Sequence, residues 1–257
     1  MKVISLQSGS NGNCIYVESA ATRLLFDAGI SGVQAQRRLA SHGIDIRAVD
    51  AVIISHDHAD HVRCAGVYHR KYRLPVCISR RTFDAAIARC GCFEAAEAVH
   101  HFEPGCALRF GAVTVETVPT PHDAAEGVAF VVAAGGKRLG ILTDLGHVFS
   151  GLEELVGSLD AVFVESNYDP EMLDSGRYPA FLKARIRGPR GHISNIEAAE
   201  LLRASAGGRR MKWVCLAHLS EENNQPGLAL RTHRRIAGGD YSLYAASRYE
   251  PTGVFEI

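Results

Sequence analysis

Short apolar runs bounded by Gly, Asn and Pro dominate the first half of the chain, with the two-residue rhythm or continuous apolarity of strands. KVISLQ, CIYVES, TRLLFDAG, AVDAVIIS and PVCIS fill the first third. ALRFGAVTVETVP, GVAFVVAAGGKRLGILTD and LDAVFVESN follow, and KWVCLAHLS, YSLYAAS and TGVFEI close the sequence. The stretches GSNGN, AAGGK and PGC separate runs in the manner of hairpin turns. Apolar positions three and four apart, the helical spacing, occur in SGVQAQRRLASHG, RRTFDAAIARCG, SGLEELVGSL, SNIEAAELLRASAGG and PGLALRTHRRIAGG. Two of these have their ends written in. Ser194 followed three residues later by Glu197 predicts a capping box, and Pro226 and Gly238 bracket the last helix. There is no internal repeat, low-complexity tract or Pro/Ser-rich linker. Strands first, then helices alternating with strands, predict an α/β fold: two sheets packed on each other with helices outside, as a single domain over 1–257.

At 257 residues the chain can bury a sizeable core. Apolar residues make up 47% and charged residues 22%, the balance of an ordinary globular protein. Twenty-eight basic residues offset 28 acidic ones, so no global field steers the chain toward nucleic acid or membrane, although a local basic patch stays open. MKVISLQSGSNGNCIYV reads as a first strand rather than a signal peptide, and no stretch approaches the length of a membrane span. These features lead us to expect a cytoplasmic protein with no membrane partner. Cys14, Cys64, Cys77, Cys90, Cys92, Cys106 and Cys215 form no pair of CxxC units, which excludes a cysteine zinc ribbon and predicts buried, reduced thiols.

Chemistry is concentrated where the apolar runs stop. AVIIS runs into His56, His58, Asp60 and His61; VTVETVPTP into His122 and Asp123; KRLGILT into Asp144; KWVCLA into His218. A lone histidine at a strand end is usually a hydrogen-bonded one, and His42, His69, His100, His101, His147 and His233, in helix-like or loop contexts, are read that way. The cluster SHDHADH is different, because a solvated charge run would mix in Lys or Glu and would not repeat imidazoles every second or third place. If the strand ends converge, they form a nest of imidazoles and carboxylates, the donor set that zinc and similar divalent ions favour.

The pattern His56-x-His58-x-Asp60-His61, followed in order by His122, Asp144 and His218 and preceded by Asp27 in FDAG, resembles the metallo-β-lactamase superfamily over essentially the whole chain. SGSNGNC, ESNYDPEML, RGPRGHISN and AHLSEENN further resemble its YycJ/WalJ-like subgroup, near the superfamily's nucleases. The resemblance implies a four-layer αβ/βα sandwich with two divalent ions at one edge. It implies His56, His58 and His122 on one ion, Asp60, His61 and His218 on the other, Asp144 bridging, and Asp27 as a support. It also implies phosphodiester hydrolysis, with a DNA exonuclease as the expected activity and nucleic acid, or another phosphodiester, as the partner. One departure is visible: Tyr168 stands where the subgroup pattern is expected to carry histidine.

Two divalent ions can share a hydroxide near neutral pH and clamp a phosphoryl group. Asp60 is expected as ligand and as an orienter of that nucleophile. His192, at the start of a predicted helix, is the candidate general acid for the leaving oxygen. Beside it, Lys183, Arg185, Arg187 and Arg190 are a local cationic run that a phosphate backbone could meet; Lys183 and Arg190 are taken as substrate-binding candidates. Asn223 and Asn224 stand just after His218 and would hydrogen-bond either a loop or the substrate. SGSNGN lacks the Lys and spacing of a P-loop and reads as a tight hairpin, with Ser10 or Asn13 near the cleft. The imidazole-rich set suits zinc, with manganese as the second candidate. The competing reading keeps the same metals but hydrolyses a small thioester, lactone or other ester. A metal-stabilised binding module is disfavoured, because structural zinc sites are closed and four-coordinate. Oxygen chemistry is disfavoured because His58 stands where such sites place a Glu.

Overall fold

The computed structural model describes all of residues 1–257 except 92, 94–98 and 209–210. In chain order the strands are β1 (Lys2–Gln7), β2 (Cys14–Ser19), β3 (Thr22–Phe26), β4 (Ala51–Ile53), β5 (Val76–Ser79), β6 (Val99–Phe102) and β7 (Ala107–Phe110). Then come β8 (Val113–Thr120), β9 (Gly127–Ala134), β10 (Lys137–Leu142), β11 (Ala161–Glu165), β12 (Trp213–Ala217), β13 (Ser242–Ala245) and β14 (Phe255–Glu256). The helices are α1 (Gly32–Ala40), α2 (Ala59–Val62), α3 (Ala65–Tyr72), α4 (Arg80–Cys90), α5 (Leu152–Gly157), α6 (Pro170–Ser175), α7 (Ala180–Arg187), α8 (Asn195–Ala204) and α9 (Pro226–Ile236). Among the described residues the strands make two seven-stranded mixed sheets, ordered β14-β1-β2-β3-β4-β5-β6 and β13-β12-β11-β10-β9-β8-β7. With helices flanking both sheets, this is the expected α/β class.

The chain divides into two compact units. The first comprises 1–119, 124–128 and 247–256. In it, β1, β2 and β3 pair antiparallel, while β3 to β6 run parallel. Parallel neighbours need crossovers, and the helices α1 to α4 supply them. Ile4, Leu6, Tyr16, Leu25, Val52, Ile54, Tyr68 and Val76 belong to one buried cluster of this unit. Each such side chain contributes about 1.5–3 kcal/mol by leaving water.

The second unit comprises 120–123, 129–246 and 257. Its β9–β10 hairpin turns at Gly135 and Gly136, whose φ values of 57° and 75° are those of a turn with two left-handed residues, which is why AAGGK carries two glycines. From β10 through β13 all pairings are parallel. AVFVE of β11 and WVCLA of β12 are buried throughout, as strands covered on both faces must be. The capping box at α8 forms as the sequence predicts: Ser194 Oγ accepts from Glu197 N, and Ser194 N donates to Glu197 Oε2 at 2.7 Å.

Several elements are not visible in the periodicity. Among the eight residues of α7 only Ile186 is buried, so the helix has almost no apolar stripe to read. In α3 the inward residues include Gly66 and His69, which blur the pattern. The VHHF run forms β6 beside β5, so His100 and His101 lie on a strand, not on a helix or loop. Cys14, Cys77, Cys90 and Cys215 are buried, Cys64 is half-buried and Cys106 is exposed, all as thiols; Cys92 lies outside the described residues. Among the described residues no helix is long and apolar enough to cross a membrane.

Candidate functional site

In the first unit the chemistry sits at the C-terminal ends of β3 and β4, where parallel α/β sheets present their functional loops. Asp27 follows β3 with a left-handed backbone, φ 65°, uncommon for any residue with a side chain. Its Oδ1 accepts from Ser55 N and Ser55 Oγ, both at 2.8 Å. Its Oδ2 lies 2.7 Å from His61 Nδ1. An ionised carboxylate only accepts, so the Ser55 hydroxyl donates to Asp27 and turns a lone pair to His56 Nδ1, 2.9 Å away. Both imidazoles therefore carry their proton on Nδ1 and a lone pair on Nε2. A carboxylate fixing the tautomer from behind is the usual support of a metal-binding histidine. His58 occupies the N-cap position of α2 without a side-chain capping bond, its ring 4.7 Å edge-on from that of His56, and the His56 and His61 rings are 4.1 Å apart. Asp60 Oδ2 is 3.5 Å from His61 Nε2, and Asn13 Nδ2 approaches the same nitrogen at 3.0 Å. The SGSNGN stretch is indeed the β1–β2 hairpin loop, and it delivers Asn13 here.

In the second unit Asp144 is ringed by imidazoles. Its Oδ1 is 3.5 Å from His122 Nε2, 3.4 Å from His218 Nδ1 and 3.7 Å from His192 Nδ1. His122 donates Nδ1–H to Gly191 O at 2.8 Å, so its Nε2 lone pair faces the carboxylate, acceptor toward acceptor. A divalent cation is what such a pair fits. Asp144 and His218 also take left-handed backbones, φ 57° and 53°. Such conformations cost roughly 1–3 kcal/mol each and persist where the surroundings over-determine them.

The residue that sequence reasoning missed is Glu165, the last of β11 and 0% exposed. Its Oε1 receives His192 Nδ1 at 2.6 Å and lies 3.4 Å from His218 Nδ1, while its Oε2 accepts from Leu145 N at 3.0 Å. Burial pushes this carboxyl up, but the charge of His192 and hydrogen bonds from His192 and His218 outweigh it and bring the pKa down to about 2. Asp144, Glu165, His192 and His218 each offer an atom within 4.8 Å of the others. The signal was present in VFVESN: an acidic residue ending an apolar run, the same mark that singled out Asp144.

Other candidates lie elsewhere. Asn224 is buried, donating to Ser166 O at 2.8 Å and Asn167 O at 3.0 Å and accepting from Asn195 at 3.0 Å. Asn223 is buried too: its backbone carbonyl accepts from Asp169 N at 2.8 Å, and its side-chain Nδ2 lies 3.4 Å from Ser220 Oγ. For Asn224 these contacts hold the loop. The basic run is largely occupied. Arg185 forks onto Asp123, Arg187 pairs with Asp174, and Lys183 Nζ donates to Asp174 O at 2.7 Å. Arg190 is exposed, with Nη2 3.5 Å from His122 O. Tyr168, at the expected histidine position, packs with Leu173 and Ile186. Burial and the neighbouring Glu197 push its phenol up to about 12.

Residues 22–214 match the model of the β-lactamase superfamily domain. The chain is 36% identical to exodeoxyribonuclease YycJ of Bacillus anthracis over 224 residues, 87% of this chain and 84% of that protein. It is 34% identical to exodeoxyribonuclease WalJ of Streptococcus pneumoniae over 261 aligned positions, 98% of this chain and 96% of the other. Among solved structures, the metallo-β-lactamase fold protein YhfI of Bacillus subtilis superimposes with a TM-score of 0.75 at 17% identity, covering 100% of this chain and 99% of that one. Matching sequence, sheet topology and a His/Asp donor set that suits divalent metal agree: the chain belongs to the β-lactamase superfamily, has the metallo-β-lactamase fold, is similar over most of its length to the YycJ and WalJ exodeoxyribonucleases, and is a metal-dependent hydrolase.

Proposed function

We propose that the protein is a dinuclear phosphodiesterase that shortens DNA from an end, and that residues 1–257 work as one hydrolase domain. The exonuclease names of its 34–36% identical relatives support the substrate class. The observation that carries the reading is His192, which stands outside the seven-residue ligand pattern yet is clamped by Glu165 at 2.6 Å, with Asp144 3.7 Å away. A hydrolase that only had to bind metal would not need a further buried carboxylate–imidazole pair beside its ligands.

In this proposal His56, His58 and His122 would hold one ion and Asp60, His61 and His218 the other, with Asp144 as a ligand common to the two sets. Zinc is the ion this imidazole-rich set suits, with manganese second. When bound, two such ions supply a hydroxide at neutral pH and offset the charge that builds on a phosphoryl group. The protein does the rest. Asp27 and Ser55 keep His61 and His56 in the tautomer that leaves Nε2 as donor atom, and Gly191 O does the same for His122. Asp60 would add to its ligand role by orienting the attacking water. Glu165 fixes His192 by Nδ1, so the opposite nitrogen delivers a proton to the departing alkoxide.

The test is a parallel assay of metal-loaded protein on end-labelled single- and double-stranded DNA and RNA, a chromogenic phosphodiester, a thioester and a cephalosporin. Processive or distributive shortening of DNA, with thioester and cephalosporin near background, is expected. A thioester rate far above every phosphodiester rate overturns the reading.

A further inference from the structure

Helix α7 has two faces with different tasks. Leu182 and Ile186, one turn apart, face Tyr168, Leu173 and Tyr178. Phe181 and Arg185, also one turn apart, form the neighbouring row. Phe181 is 76% exposed, the most exposed of the large apolar side chains among the described residues. Scattered exposed apolar residues are ordinary, so exposure alone says little; the position of this one is what matters. Residues four apart on a helix stand about 5–6 Å from each other at Cβ. Arg185 holds Asp123 through two hydrogen bonds, 2.5 and 3.0 Å, and Asp123 Oδ1 is 3.5 Å from His122 Nε2. The same helix ends in the loop that carries His192, whose N–H donates to Ile186 O at 2.9 Å. The exposed ring is thus one helical turn from an arginine tied to a candidate ligand, on the helix that positions the candidate acid.

We propose that Phe181 is a stacking platform for a base at the end of a single DNA strand, seated as the adjoining phosphodiester enters the site. The inference rests on the reading of the site as a DNA phosphodiesterase and adds a recognition element to it. Its chemistry suits what the surroundings offer. Arg185, Arg187 and Lys183 of the basic run are held by Asp123 and Asp174, so of that run Arg190 stays exposed for the backbone and the bases become the further handle. Every base has a π-face, so a single exposed ring binds strand ends without reading sequence. Arg177, exposed in the loop leading into α7 four residues before Phe181 and with no hydrogen bond or ion pair among the described residues, adds one cation for the backbone.

The experiment compares wild type with Phe181→Ala, Phe181→Leu and Phe181→Trp, all metal-loaded, on a fluorescent single-stranded oligonucleotide and on the same strand with abasic sites at both ends. Stacking on an aromatic is worth about 1–3 kcal/mol per base, so about a ten-fold rise in KM is expected for Ala and Leu, with kcat within about two-fold. Phe181→Trp should match or improve on wild type. The gap between wild type and Phe181→Ala should close on the abasic strand, where there is nothing to stack. Circular dichroism and sedimentation of the variants accompany the kinetics. If wild type shortens no nucleic acid, the reading of the site fails and takes this inference with it. If wild type shortens DNA and Phe181→Ala does so with unchanged KM, the inference alone is overturned. A variant that changes oligomeric state with unaltered KM overturns it too, and makes the ring a contact between copies. Equal losses on normal and abasic strands likewise exclude stacking.

Discussion

At the scale of single residues, the working parts are pairs rather than isolated side chains. The half-buried His192 ring is aimed by Glu165, whose Oε1 lies 2.6 Å from its Nδ1. His192→Ala should slow DNA cleavage by about a hundred-fold or more, the usual range of general acid catalysis, while elemental analysis finds the same metal content. The loss should shrink on a nitrophenyl ester, whose leaving group needs no proton. An unchanged DNA rate with intact metal would make this histidine a turn residue. Glu165→Gln should cost less than His192→Ala, and the double variant little more than His192→Ala alone, since one residue acts through the other. A different histidine governs acid stability. Burial pushes His233 down to about 4, with Nε2 3.2 Å from Ser166 Oγ. In the unfolded chain a histidine titrates near 6.5. Between those values the unfolded state binds more protons, so stability is complete above about pH 6.5 and falls as pH drops toward 4, by on the order of 2 kcal/mol at pH 5. Denaturant melts of the metal-free protein should show this slope, flattened in His233→Gln. Equal slopes for both proteins would refute the assignment.

At the scale of elements, the strand ends and helix starts do the positioning. Ser194 caps α8 two residues after His192, and Tyr168 O accepts Asn195 N at 2.8 Å, tying the turn to the segment after Glu165. Removing a Ser cap costs about 1 kcal/mol, which for a chain of this size is roughly 2–4 °C in melting temperature. Ser194→Ala should therefore melt a few degrees lower and also lose kcat on DNA, because the turn that holds His192 loosens. Ser194→Asp, which keeps a capping acceptor, should restore both. A lowered melting point with full kcat would separate the cap from the acid. The departure at Tyr168 is explained at this scale as well: its ring fills the space between α6 and α7 with Leu173 and Ile186, so it serves packing in this chain.

At the scale of the whole molecule, zero formal charge and a largely occupied basic run leave metal as the main lever on stability. Ligands that bind only the folded state stabilise it by mass action, about 4 kcal/mol at a thousand-fold excess over Kd. Stripping metal with a chelator should lower the melting temperature on the order of 10 °C, and zinc or manganese should restore it. A melting curve indifferent to chelator and to both metals would count against the donor set. The chain's own sequence determined the strand runs, the β9–β10 turn, the α8 cap and the His/Asp marks at strand ends, because periodicity, left-handed glycines and capping are written in neighbouring residues. Tertiary structure alone decided that Glu165 clamps His192, that Asn223 and Asn224 turn inward, that Arg185 and Arg187 are paired, and that α7 is a helix despite a single buried residue. Each of those depends on partners outside the local stretch, from 13 residues away for Arg187 to 62 for Arg185, and a side chain's burial and pairing are set by which segment arrives beside it, which no local pattern encodes.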